Sequence, residues 1–501
     1  MRSILAGALG AAVLALSACT VGPNYRRPSA PVPTHYKEAG WVVAHPAAAR
    51  ARGPWWQVYR DPVLGRLEPQ VAVSNQNLKA DLAAFVEAEA LVAEARAGFF
   101  PTVSVSGQGT RSRSVTGGFG RVGNFFSQSA SASWVPDLWG RVRRTVEGQI
   151  ASAQVSAADL ANARLSAQAT LASDYFQLRI ADALERLLHL TITAYTESLR
   201  ITKNQYTAGI AAESDVAQAE AQLAAAEAQA QAVGVTRAQL EHATAVLIGR
   251  PPAEFALAPV PSTGNVPAIP VGLPSTLLER RPDIAAAEHQ MAAANAQIGV
   301  AEAAFFPDLT LSGDAGSQAP KIARLFSAAD VVWALGGQAA ETLFEGGLRH
   351  AQVAAARAVF SQDVALYRQT VLTAFQQVED ELAASRLLAR QQTAEDKAVA
   401  AARTAERVIF NQYKAGLIPY TNVVVAQATA LADAESALQI RQSRLVASVS
   451  LIEALGGGWS TAQLPGRGRI ERDVPLDFSP LPPRDAVTHR PAATLRLPPA
   501  G

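Results

Sequence analysis

Apolar and polar positions follow two rhythms along this chain, one helical and very long, the other alternating residue by residue. From about residue 142 to 207, Ala, Leu, Gln, Arg and Glu recur with few breakers, which predicts one uninterrupted helix. No proline occurs between Pro136 and Pro251, or between Pro320 and Pro419. Because an interior proline costs a helix about 3 kcal/mol, such gaps leave room for exceptional length. A helix of roughly 65 residues extends on the order of 100 Å. Tyr206-Thr207-Ala208-Gly209 and Tyr413-Lys414-Ala415-Gly416 read as turns, with Gly209 and Gly416 suited to the left-handed residue after a helix C-terminus. Returning helices are predicted at about 214–248 and 421–455. In the first of these, Val216, Leu223, Ala230, Arg237 and Thr244 take one heptad seam and Ala219, Ala226, Val233, Leu240 and Leu247 the other, eight of the ten being apolar. Small seam residues let helices approach closely. A plain antiparallel bundle satisfies the same periodicity.

The alternating segments change the picture. Phe99-Phe100-Pro101 opens Thr102-Val103-Ser104-Val105-Ser106-Gly107, and Phe305-Phe306-Pro307 opens Asp308-Leu309-Thr310-Leu311-Ser312-Gly313. Each run predicts a strand, then a Gly/Ser/Arg-rich loop (Arg111–Gly123 and Gly316–Asp330), then a second strand (Asn124–Val135, and one containing Val331–Leu335). Strands of about 9–11 residues with one apolar and one Ser/Thr/Gln face fit a transmembrane barrel. Leu311 is expected on the lipid side and Thr310 on the lumen side. Four strands cannot close, and an open edge in lipid leaves backbone groups unsatisfied at several kcal/mol each. Closure therefore requires strands from several chains.

The two halves repeat. Ala93-Glu94-Ala95 answers Val300-Ala301-Glu302, the two Tyr-x-x-Gly turns answer each other, and Ile248-Gly249 answers Leu455-Gly456, at an offset of about 206 residues. The resulting division is a signal peptide at 1–18, an N-terminal equatorial segment at 19–70, a first repeat at 71–250 and a linker at 251–275. A second repeat follows at 276–457 and an equatorial, disordered tail at 458–501. Seven prolines forbid regular helix in the linker.

Composition then narrows the class. Arg2, an apolar run from Ile4 to Leu16 and Ser17-Ala18-Cys19 form an export signal ending in a lipobox, and Cys19 is the only cysteine. Lipidation of the Cys19 thiol with cleavage before it is expected, and Thr20 in place of aspartate favours the outer membrane. Net charge is +1, with no basic tract, which speaks against nucleic acid. No stretch of about 20 apolar residues follows the signal, which argues against a membrane-spanning helix but not against a β-barrel. Seven histidines (35, 45, 189, 242, 289, 350, 489) are scattered without metal-ligand spacing, so neither an enzyme nor a cofactor or metal is expected.

Leu277-Leu278-Glu279-Arg280-Arg281-Pro282-Asp283-Ile284, with Gln297-Ile298-Gly299-Val300-Ala301 downstream, resembles the signature of TolC-like outer-membrane factors, and the lipoprotein (NodT-like) branch in particular. Cys19 with Val21-Gly22-Pro23-Asn24-Tyr25, Trp55-Trp56, Asp137-Leu138-Trp139-Gly140-Arg141 and the two Tyr-x-x-Gly turns extend the resemblance over roughly residues 16–460. The resemblance implies an α+β membrane protein: a homotrimeric, 12-stranded β-barrel with four strands per chain, continuous with a long periplasmic α-helical barrel. It implies an exit duct in outer-membrane lipid, served by a periplasmic adaptor and an inner-membrane transporter of the RND type. A type I secretion duct and a pore-less lipid-anchored coiled-coil scaffold are the rivals. It also implies a tip closed around Tyr413 and Gly416. Where the family carries arginine this chain has Ile418, and at its two acidic positions it has Asn422 and Val425. Asp215, equivalent to Asn422 in the first repeat, and nearby Glu213 are the candidate gate carboxylates. A helix-capping role for them is the competing reading. Arg281-Pro282-Asp283 is expected to be structural, with Pro282 in a first helical turn and Asp283 favourable at that N-terminus.

Overall fold

The computed structural model describes residues 20–38, 54–116, 119–260, 264–269, 274–327, 330–474 and 476. Cys19, the predicted signal and the tail beyond residue 476 lie outside the described residues.

The repeat is written into element lengths. In chain order the helices are α1 (Leu64–Ser74), α2 (Gln76–Ala97), α3 (Arg141–Thr207), α4 (Glu213–Leu247), α5 (Leu277–Arg280), α6 (Pro282–Ala303), α7 (Leu348–Lys414), α8 (Tyr420–Ala454) and α9 (Arg467–Asp473). The long helices α3 and α7 each have 67 residues, the returning helices α4 and α8 each 35, and α2 and α6 each 22. Both long helices start after a left-handed glycine, Gly140 (φ 85°) and Gly347 (φ 88°).

Helix α3 packs on α2, α4, α6 and α8, and α7 packs on α6 and α8. The shorter helices α2 and α4 therefore share α3, α6 and α8 share both long helices, and the paired ends meet at a glycine. A β-carbon on Gly249 (φ +69°), just past α4, would stand 2.2 Å from the Ser74 carbonyl oxygen before α2. One on Gly456 (φ +86°), just past α8, would stand 2.0 Å from the Arg280 carbonyl oxygen before α6. Pro282 is the first helical residue of α6, and Asp283 chelates Arg281 (3.0 and 2.6 Å) while the Arg281 Nη1 donates to the Ala454 carbonyl at 3.0 Å. The expected structural role of this block holds.

Most bulky apolar burial lies around the middle of the wall. Trp55, Trp56, Tyr59, Leu64, Leu67 and Val71 pack on Leu171, Tyr175, Phe176, Leu445 and Val449. Tyr36, Leu277, Ile284 and Met291 pack on Tyr367, Val371 and Phe375. Burying each such side chain contributes about 1.5–3 kcal/mol, so this belt braces helices whose own contacts are largely alanine.

The strands β1 (Thr102–Thr116), β2 (Phe119–Trp134), β3 (Asp308–Ala319) and β4 (Val331–Ala340) form one antiparallel sheet in the order β1-β2-β3-β4. The predicted loop Arg111–Gly123 is a correction: Arg111 pairs with Asn124, Arg113 with Val122 and Thr116 with Phe119, so the strands continue almost to the turn. Serine and arginine alternate there as regularly as serine and valine do below, and pairing needs only the backbone. The loop at Gly316–Asp330 is likewise shorter, since β3 runs on to Ala319.

Candidate functional site

Register divides the sheet into two faces. Val103 and Val105 lie opposite Ala132 and Ala130, these opposite Gly313 and Ala315, and these opposite Leu335 and Trp333. Trp134, Leu311 and Gly337 extend the same face. On the other face Thr102, Ser104 and Ser106 meet Ser133, Ser131 and Ser129, followed by Ser312, Asp314, Thr310 and Gln338. One side is thus mainly apolar over the lower part of the sheet, interrupted by Gln128 and Ser317, and the other is mainly hydroxylic and acidic on β1 to β3. Leu311 belongs to the first and Thr310 to the second.

The N-terminal segment is fastened where sheet becomes helix. The Val21 amide donates to the Trp139 carbonyl at 3.0 Å. Buried Arg144 on α3 donates to the Val21 carbonyl (3.1 Å), the Gly22 carbonyl (2.9 Å) and Asn24 Oδ1 (3.0 Å), with Glu147 at 2.8 Å neutralising it. Asn295 on α6 donates to the Pro23 carbonyl at 2.8 Å. Thr20 lies against Gly140, so the chain reaches the foot of the sheet immediately after Cys19.

At the opposite end, the turns after α3 and α7 come together. Tyr413 and Tyr420 are buried with ring centroids 5.2 Å apart, packed with Ala219, Val423 and partly buried Ile418. The Tyr413 hydroxyl shares a hydrogen bond with Thr202 at 3.0 Å, and Gln427 Nε2 donates to the buried Ser198 hydroxyl at 3.0 Å. These two bonds tie α7 and α8 to α3. Burial raises the Tyr413 phenol and pushes that of Tyr420 up to about 12, and the negative charge of Asp215 adds to both. Asp215 therefore stands within electrostatic reach of the tyrosine pair. It is half-buried, and its Oδ2 accepts the Ala212 amide at 3.3 Å at the start of α4. The capping role and the placement at the tip coexist. Glu213, Asn422 and Val425 are exposed, and Val425 is not part of the tyrosine cluster.

Sequence reasoning missed Ser198, Thr202 and Gln427, which are ordinary polar residues at buried positions of helices. It also missed a buried triad. Asp182 accepts from Arg179 (2.8 Å) and Arg237 (2.7 Å), and these arginines hold the linker carbonyls of Ala258 (2.9 Å) and Leu257 (2.6 Å). Arg237, with Thr244 one of two polar residues in the seams of the returning helix, was the available signal. Among the described residues no group of three or more His, Cys, Asp or Glu is placed to hold a metal, and no helix is long and apolar enough to cross a membrane.

The family model described as "Outer membrane efflux protein" matches residues 67–249 and 273–457. The probable efflux pump outer membrane protein TtgC of Pseudomonas putida KT2440 is 31% identical over 466 residues, 91% of this chain and 96% of that protein. The solved outer-membrane channel OprN superposes with a TM-score of 0.81 at 29% identity, covering 88% of this chain and 100% of that one. The open-state MtrE outer membrane channel of Neisseria gonorrhoeae superposes with a TM-score of 0.79 at 29% identity, over 88% of this chain and 98% of that one. The fold is accordingly that of these trimeric channels, each chain supplying four strands to a 12-stranded barrel that continues into a helical barrel. With two matched repeats, an unclosed sheet of divided polarity and helical columns ending in a tyrosine-bound tip, the chain belongs to the outer membrane efflux protein family.

Proposed function

We propose that this chain is the channel subunit of a tripartite efflux pump: a homotrimer in the outer membrane, lipid-anchored at Cys19. It would accept small toxic compounds or drugs from a periplasmic adaptor and an inner-membrane transporter of the RND type. The observation that carries this reading is the division of the four-stranded sheet into one apolar and one polar face. A face of Val, Ala, Leu and Trp is stable against lipid, and a face of Ser, Thr, Gln and Asp is stable only against water. The sheet's outer strands β1 and β4 each have one unpaired edge, which only a neighbouring copy can satisfy in lipid. The flanking helices carry matching apolar surface: Val235 and Val246 on α4, and Val359, Leu366 and Leu387 on α7, are exposed in the single chain.

The role of the wall is to exclude lipid and hold a wet passage, and we assign closure to the periplasmic tip. The Tyr413–Thr202 and Gln427–Ser198 bonds keep α7 and α8 against α3, and widening the tip requires exchanging them for water. Asp215 supplies the negative charge of that constriction, with Glu213 beside it and Asn422 and Val425 as its uncharged rim. In planar bilayers the purified trimer is expected to conduct ions. A complete absence of conductance, including after replacement of Tyr413 by Phe, overturns the channel reading in favour of a scaffold.

A further inference from the structure

The apolar face of β1 changes character along its length: Val103, Val105, Gly107 and Gly109 are followed by Arg111 and Arg113. Pairing puts Gly109 level with Phe126 and Phe126 level with Ala319, and at the other end of the face Leu309 is level with Ala339. The ten residue steps from Leu309 to Ala319, at about 3.4 Å each and a tilt of about 40°, rise roughly 25 Å, the height of an outer-membrane apolar band. Arg111 and Arg113 stand about 5–10 Å above that band on the lipid side, where headgroups begin.

A separate feature marks the same level. Ser317 and Ala319 belong to the apolar face but are only 3% and 2% exposed. The chain beyond β3 folds back over them, and the Ser317 hydroxyl donates to the Leu325 carbonyl. This segment therefore lies against the lipid side of the wall. It presents Ile322 (65% exposed) and Phe326 (80%) beside Lys321 and Arg324. Apolar tips next to long cationic side chains suit a lipid interface, where stems lie along acyl chains and charges reach the headgroups. Arg324 is partly neutralised by Asp330 at 3.4 Å, whereas Arg111, Arg113 and Lys321 form no ion pair among the described residues.

We propose that Arg111, Arg113 and Lys321 bind the phosphate groups of a phosphorylated outer-leaflet lipid, with Ile322 and Phe326 inserted among its acyl chains. Guanidinium groups suit phosphate because two parallel N–H donors match two oxygens. The occupant is a lipid because the cations continue a face that is mainly apolar from Leu309 upward, Gln128 being its one polar side chain below them apart from Ser317, which the segment after β3 covers. The inference rests on the barrel reading above, in that it takes the apolar face as the lipid face.

The test titrates the full-length trimer in detergent with lipopolysaccharide and with the same glycolipid stripped of its phosphates. Wild type is expected to prefer the phosphorylated form by about tenfold or more, with each removed charge weakening binding about fivefold. The R111Q/R113Q/K321Q variant is expected to lose the preference, and I322S/F326S to weaken binding of both lipids while keeping it. Single R113Q and K321Q variants give graded losses and decide the matter if the triple variant does not assemble. Equal affinity of wild type for both lipids, or a triple variant that keeps the preference, overturns the proposal. Conductance of the same preparations separates the two readings: a conducting trimer without lipid preference removes only the lipid site.

Discussion

Glu68 is a carboxylic acid with nowhere to place a charge. It is fully buried, neither oxygen has a hydrogen-bond partner, and burial pushes its pKa up to about 9. Below its ordinary pKa of about 4.5 both folded and unfolded chains hold the proton, and this site's stability is fully present. As pH rises toward about 9 the unfolded chain releases its proton first, so stability falls across that window and then levels off. Glu68→Gln is expected to flatten the decline, read as a smaller loss of thermal stability between about pH 5 and about pH 8 than in wild type. Asp215 is a different case, a half-buried carboxylate at the tip. Three copies around an axis favour cations, so Asp215→Asn is expected to lower cation selectivity and blunt block by divalent ions. Asparagine keeps an acceptor for the Ala212 amide, and trimer stability should change little. Unchanged single-channel reversal potentials would reduce Asp215 to a helix cap.

At the scale of elements, the glycine joints and the strand faces give separable tests. Gly416 and Gly456 both have positive φ, but a β-carbon on Gly416 meets nothing within 4 Å, whereas one on Gly456 runs into the Arg280 carbonyl. Gly416→Ala should cost only the left-handed penalty of about 1–2 kcal/mol, and Gly456→Ala clearly more, read in thermal stability of the trimer. On β3, Leu311→Arg puts a charge in lipid at about 2–4 kcal/mol, while Thr310→Arg faces water. Trimer yield should drop for the first and hold for the second, and equal yields would undo the face assignment. Most of this was legible in sequence because it is periodic: absent prolines allowed the long helices, alternation gave the strands, and the offset gave equal halves. The strand ends were misread because Arg111 and Ser112 look like loop by composition yet alternate like strand. The polar ties Ser198–Gln427 and Thr202–Tyr413 were invisible, since each joins residues more than 200 positions apart. Only packing of the two repeats brings them together.

The whole molecule is proposed to be held in its membrane by two means, the barrel and a lipid on Cys19, and they should come apart experimentally. Cys19→Ser is expected to abolish lipid at the N-terminus by mass spectrometry and to weaken membrane retention while conductance persists, because the barrel inserts on its own apolar face. Loss of conductance with an intact trimer would show that the anchor shapes the pore. Residues 20–24 stay fastened by Arg144 in either case. Equal helix lengths in the two repeats have a larger consequence. Three chains of two matched halves make a cylinder whose wall is close to sixfold, yet its side chains obey only threefold symmetry, with Asp215 where the other half has Asn422. Every second hairpin around the tip is therefore chemically different from its neighbours while remaining mechanically the same size. Such alternation is expected to let one set of three hairpins swing while the other set stands still, so that the aperture dilates without the wall as a whole changing circumference.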